Sequence, residues 1–245
     1  MKYLIVNGDD FGASQGINRG IVEAHRRGIL TSASLMVNMP ATEAAVALSR
    51  SLPHLSVGLH VDIAGEPGKD AGDANVASGT NVADTCRAEL YRQFYRFQEL
   101  VGRLPTHLDS HHNAHRDPCL LRHFLELAGR YRLPLREHSP VRYFSDFYGQ
   151  WGGETHLEQI STDSLLRMLK DEIHEGITEL SCHPGYSEPG SQSGYSIERE
   201  VELQILCDPI IRKAVAEQQI RLISYADLMS SGQWPVVSRP ESAER

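Results

Sequence analysis

No apolar run in the sequence approaches the roughly 20 residues that a membrane-spanning helix needs, so no membrane partner is expected. Cysteine is scarce. Cys86, Cys119, Cys182 and Cys207 are scattered, which excludes a CxxC thiolate site and reads as reduced thiols in the cytoplasm. Positive charge is also short, with 24 Lys and Arg against 32 Asp and Glu and a formal net charge of −8. A phosphate-binding surface needs the opposite surplus, so nucleic acid is excluded as a partner. No secretory leader is expected, because the opening Met1-Lys2-Tyr3-Leu4-Ile5-Val6 meets Asn7, Asp9 and Asp10 before an apolar region can form.

What is present is ordinary in bulk. The 245 residues are 40% hydrophobic and 23% charged, the balance of a soluble globular chain and the length of a single α/β barrel. Such a chain buries a full core without disulfide or metal staples.

Short apolar runs at 3–6, 32–37, 55–61, 106–110, 133–136, 179–183 and 220–223 read as strands. Helical periodicity lies between them, including one long helix expected over 197–218. The alternation predicts parallel βα units in one α/β domain over residues 1–231, with a polar tail at 232–245. Two stretches break the rhythm. Residues 64–84 are rich in Gly, Ala, Asp and Asn, the composition of a long lid-like loop, and residues 138–160 carry Tyr143, Phe144, Phe147, Tyr148 and Trp151 among glycines.

The polar residues fall at the ends of the strands. Asp9-Asp10, Asn38, His60, Asp109 with His111-His112, Arg136 and His183 each close an apolar run. In a barrel of parallel strands those ends open on one face, so residues distant in sequence converge. Asp10, His60 and His111 would supply a carboxylate and two imidazoles to a catalytic cation with open positions for water and substrate. This N/O donor set admits magnesium, zinc or another transition ion. Asp9 beside it is the candidate base, His183 the candidate acid toward a leaving amine, and Arg136 the partner that orients Asp9. Asn38, His112, His115, Phe147 and Tyr148 are the candidate substrate contacts. Taken singly, each feature has a bland reading: a polar turn at Asp9-Asp10, a satisfied buried histidine at His60, a cation-sticky loop at 107–115. Taken together, they fit metal-assisted hydrolysis of an amide.

At these residues the sequence resembles a known family. Val6-Asn7-Gly8-Asp9-Asp10-Phe11-Gly12, Gly58-Leu59-His60, Thr106-His107-Leu108-Asp109-Ser110-His111-His112 and Cys182-His183-Pro184 are similar to the signatures of the YdjC-like carbohydrate deacetylases. The best-known members of that family act on chitooligosaccharides. The resemblance implies a distorted, TIM-like (β/α) barrel of about seven parallel strands. It also implies a divalent cation, usually magnesium, on Asp10, His60 and His111, with Asp9 as base. The substrate it implies is an N-acetylated amino sugar or chitooligosaccharide, and the assembly a homodimer. A phosphoesterase or sugar isomerase on the same barrel is the competing enzyme reading, weakened by the lack of a Gly-rich phosphate loop near the seventh strand. A non-catalytic carbohydrate-binding regulator is the other alternative.

Overall fold

The computed structural model describes residues 1–63, 80–188 and 194–230. Its elements in chain order are β1 (Lys2–Phe11), α1 (Gln15–Arg27), β2 (Ser32–Leu35), α2 (Thr42–Arg50), β3 (Ser56–Val61), α3 (Thr80–Val101), β4 (Leu108–Ser110), α4 (Pro118–Tyr131) and β5 (Arg142–Phe144). There follow β6 (Gln150–Trp151), β7 (Glu154–Thr155), α5 (Thr162–Asp171), β8 (Gly176–Cys182), α6 (Ile197–Leu206), α7 (Pro209–Glu217), β9 (Ile220–Leu222) and α8 (Tyr225–Ser230). Most of the lid-like stretch, the middle of the polar loop after β8 and the tail 232–245 lie outside the described residues.

The larger sheet runs β4-β3-β2-β1-β8-β5, with β9 added to β1, and its ladders are parallel. It curls into a half-barrel surrounded by helices, a distorted (β/α) barrel. β1 lies at its centre because Leu4, Ile5 and Val6 are apolar on both faces and fully buried, as a strand covered on both sides requires. α1 presents Ile17, Ile21, Val22 and Ala24 to the core, and Ser14 caps it by accepting from the Ile17 N–H at 3.2 Å. No helix among the described residues is long and apolar enough to cross a membrane.

Two expectations are corrected. Residues 133–136 do not form a strand. They make one isolated bridge, Leu108 to Leu135, because Pro134 has no N–H to extend a ladder and Glu137 turns the chain at φ 63°. The strand beside β8 is instead β5, inside the aromatic stretch read as a loop. The long helix over 197–218 is two helices: Asp208 caps a new start by accepting from the Ile210 N–H, and Pro209 cannot continue the helix before it.

Beneath the strand ends, Gly58 is a point of close approach, since a Cβ there would stand 2.4 Å from Cε1 of His107. The His107 ring cannot retreat, being stacked on Tyr225 at 3.9 Å and bonded to Ser34 at 3.1 Å and Thr106 at 3.0 Å. Gly58→Ala is expected to cost about 1–3 kcal/mol by overpacking, read as a lowered midpoint in thermal or urea unfolding.

Candidate active site and metal centre

The pocket is built on a bend at the end of β1. Adjacent residues of a regular strand face opposite ways, so Asp9 and Asp10 would not ordinarily share a pocket. Here the register with β2 shifts between Gly8 and Phe11, and Asp10 adopts φ 67°. This bulge re-aims the second carboxylate. Both residues line a cavity of about 550 Å³ together with His60, His111, His112, Tyr148 and His183.

Asp10 is buried and splits its two oxygens. Oδ2 accepts from the Arg199 guanidinium at 2.5 Å. Oδ1 has no hydrogen bond and faces Nε2 of His60 at 3.4 Å and Nδ1 of His111 at 3.2 Å. One donor atom from each of Asp10, His60 and His111 lies within 4.8 Å of the others. His60 donates from Nδ1 to Asp109 at 2.8 Å, which leaves Nε2 for the centre of the cluster and supplies the outer carboxylate that ligating histidines commonly have. Burial opposes charge on His60, yet Asp109 and Asp10 override it and raise its pKa to about 10. An orphaned carboxylate oxygen among imidazole nitrogens, in a surround this negative, fits a divalent cation. A second cluster, Asp9, His60 and Asp109, is already neutralised by Arg136 and fits one poorly.

Asp9 is held differently. Arg136 donates to both its oxygens at 2.8 Å, and the Asn7 side-chain amide donates to Oδ1 at 2.8 Å. Burial works to raise its pKa, but the guanidinium prevails and keeps Asp9 below the usual carboxylate range. Arg136 itself is buried under the pocket and also meets Glu179 at 2.7 Å and Asp109 at 2.9 Å. Across the pocket, Nε2 of His183 stands 4.0 Å from Oδ2 of Asp9.

The structure thus brings Asp9, Asp10, His60, His111, Arg136 and His183 together, with His112 and Tyr148 on the wall. Three candidate substrate contacts are not brought there. Phe147 is fully buried in the core, because its neighbour Tyr148 takes the outward position. His115 is also fully buried, folded back onto Ser110 with Nδ1 2.6 Å from its hydroxyl. Asn38 is exposed, with its side-chain amide 3.5 Å from Glu89 on α3. Sequence reasoning gave no role to Asp109, Glu179, Arg199 or Glu202. The signal for the last two was a helix that buries Glu198, Arg199 and Glu202 beside Leu203 and Leu206, since charged residues on a core-facing stripe need partners.

Residues 3–217 match the model of a family described as YdjC-like protein. The chain belongs to the YdjC-like family. This YdjC-like chain is 38% identical to a carbohydrate deacetylase of Geobacillus stearothermophilus, over 92% of its own length and 98% of that protein's. It is 37% identical to a chitooligosaccharide deacetylase of Enterobacter sp. (strain 638), over 93% and 99%. Among solved structures, a protein of Enterococcus faecalis V583 named for cellobiose-phosphate cleavage superposes with a TM-score of 0.76 at 29% identity, covering 93% of this chain and 98% of that one. A family 4 carbohydrate esterase of Streptomyces lividans shares the fold alone, with a TM-score of 0.54 at 13% identity over 90% and 91%.

The buried histidines beside the YdjC-like site give a pH signature. Burial pushes His107 and His115 down to about 4, whereas an unfolded histidine titrates near 6.5. Between those values the unfolded chain binds protons that the folded chain refuses. The contribution of these two rings to stability is therefore full above about pH 6.5 and is lost toward pH 4, by up to about 3 kcal/mol per ring. Going from pH 7 to pH 5, the urea midpoint of His107→Asn should gain relative to that of the wild type, because the variant lacks one of the two rings that lose stability.

Proposed function

We propose that this chain is a metal-dependent carbohydrate deacetylase that hydrolyses the N-acetyl group of an amino sugar or chitooligosaccharide to acetate and a free amine. The observation that carries this reading is the pairing, on one bulged strand end, of a buried carboxylate aimed at two imidazoles with a second carboxylate that a guanidinium keeps ionised. The names of its relatives support the substrate class.

Asp10, His60 and His111 would hold a divalent cation, which when bound supplies Lewis acidity to the acetyl carbonyl and to water. Asp9 takes a proton from the attacking water as its oxygen bonds the carbonyl carbon. Because Arg136 holds Asp9 below the ordinary carboxylate range, it is charged at neutral pH and so able to accept that proton. Arg136 and Asn7 fix its direction. His183, facing Asp9 from across the cavity, gives the Nε2 proton to the nitrogen as the C–N bond breaks. Tyr148, partly exposed on the wall and stacked on Tyr195 at 4.8 Å, offers a flat face to a sugar ring. The resemblance favours magnesium, whereas two imidazoles suit zinc or another transition ion, so the metal is an arm of the test.

Incubation with N-acetylglucosamine, diacetylchitobiose and longer chitooligosaccharides, each with magnesium, zinc, cobalt or nickel, should release acetate. Release of phosphate from sugar phosphates in its place would overturn the reading. Asp9→Asn should lower turnover about 10²–10⁴-fold, the range for a lost general base, while divalent-ion affinity by calorimetry stays within a few-fold. His111→Ala should do the reverse of that second result and weaken ion binding at least about tenfold.

A further inference from the structure

Among the buried carboxyls that have no part in the scheme above, Glu202 is the one whose contacts run to His183. Glu202, on α6, is fully buried. Its Oε2 accepts from the His183 backbone N–H at 2.5 Å, and its Oε1 accepts from the Tyr195 hydroxyl. That same Oε1 lies 3.9 Å from Nδ1 of the His183 ring. Nδ1 is itself buried without a hydrogen-bond partner, while Nε2 of the same ring faces Asp9 and the reaction. An imidazole with one nitrogen toward substrate and the other orphaned beside a carboxyl needs only a small ring movement to close a dyad.

Resting on the deacetylase reading with His183 as its acid, we propose that Glu202 is the second half of that acid: the Glu202–His183 pair together holds the proton that Nε2 delivers to the departing nitrogen. As the C–N bond breaks, its electron pair stays on nitrogen and Nε2–H passes to it. Nδ1 takes the proton from Glu202, leaving a carboxylate that the Tyr195 hydroxyl and the His183 N–H already address. Solvent closes the cycle by removing the proton Asp9 gained and returning one to Glu202. Burial pushes Glu202 up to about 8 and His183 down to about 4, so the pair keeps one proton across neutral pH whichever member carries it. The groups acting on His183 are Asp9 and Asp10 from β1, His60 from β3, Arg199 from α6 and the rings of Tyr148 and Tyr195; those around Glu202 are Tyr195, Arg199, Asp9, Tyr148 and Cys182.

Glu202→Gln keeps an acceptor for the His183 N–H and a polar group toward Tyr195. It is expected to lower kcat at least tenfold with KM within threefold, and to move the basic limb of the kcat–pH profile at least one unit toward acid. Tyr195→Phe keeps the carboxyl but removes a hydroxyl that favours its charged form, so it should move the same limb toward alkali. A Glu202 that merely clamps the loop moves neither limb, and unchanged limbs overturn the proposal. If Glu202→Gln does not fold, by near-UV circular dichroism, the Tyr195→Phe limb alone decides. Should the wild type release no acetate, the deacetylase reading fails separately. The pairing is then decided by NMR titration of the His183 ring in full-length protein, expected to shift toward acid in Glu202→Gln and overturned by an unshifted titration.

Discussion

One buried guanidinium organises the pocket. Arg136 meets Asp9, Asp109 and Glu179 at 2.7–2.9 Å with almost no exposure to solvent. A charge so placed is tolerable only because carboxylates surround it, and they are tolerable only because it is there. Asp109 then anchors His60, Asp9 faces the pocket as the candidate base, and Glu179 accepts from Tyr225 at 2.7 Å, tying α8 to the underside of the site. Removal of Arg136 leaves buried carboxylates uncompensated, the costliest defect a core can carry. The acid–base residues are thus part of what holds the half-barrel in register.

The guanidiniums do not balance the carboxylates. Asp9, Asp10, Asp109 and Glu179 face Arg136 and Arg199, which leaves two carboxylates in excess, and Oδ1 of Asp10 is the orphaned oxygen among them. A proton on His60 can cancel one of them, and Asp109 with Asp10 raises that ring's pKa despite its burial. A divalent ion would cancel both while His60 is neutral. A positive charge fixed in place there beforehand suits a reaction in which negative charge develops on a carbonyl oxygen.

Much of this was legible in the sequence, for a physical reason. Parallel strands buried on both faces must be apolar along their length, so polar residues are pushed to the tips, and the tips of parallel strands share one face. Asp9, Asp10, His60, His111 and His183 announce themselves by breaking apolar runs. What could not be read depends on local backbone geometry or on distant packing. The bulge at Asp10 is a single φ of 67° with no signature beyond an acidic pair. The lost strand at 133–136 turns on one missing N–H at Pro134 and on the left-handed Glu137. Phe147 and Tyr148 read alike in the sequence, whereas neighbours on an extended chain face opposite ways unless a bulge re-aims one of them, as at Asp10.

The least legible contribution comes from α6, and it shows how a barrel site can be tuned from outside its strands. Arg199 and Glu202 stand three residues apart on one helical face, 189 and 19 residues from the groups they bind, Asp10 and His183. Neither sits at a strand tip. Residues three apart on a helix are neighbours in space, so one rigid element sets the aim of a candidate ligand and the surroundings of the candidate acid. Arg199 also donates to the His183 carbonyl at 3.3 Å, closing a loop of contacts between the two. Because the strand tips are fixed by the sheet, displacement of α6 would alter the cation's carboxylate and the imidazole's surroundings together. The two halves of the chemistry are coupled through that helix more directly than through the barrel that carries them.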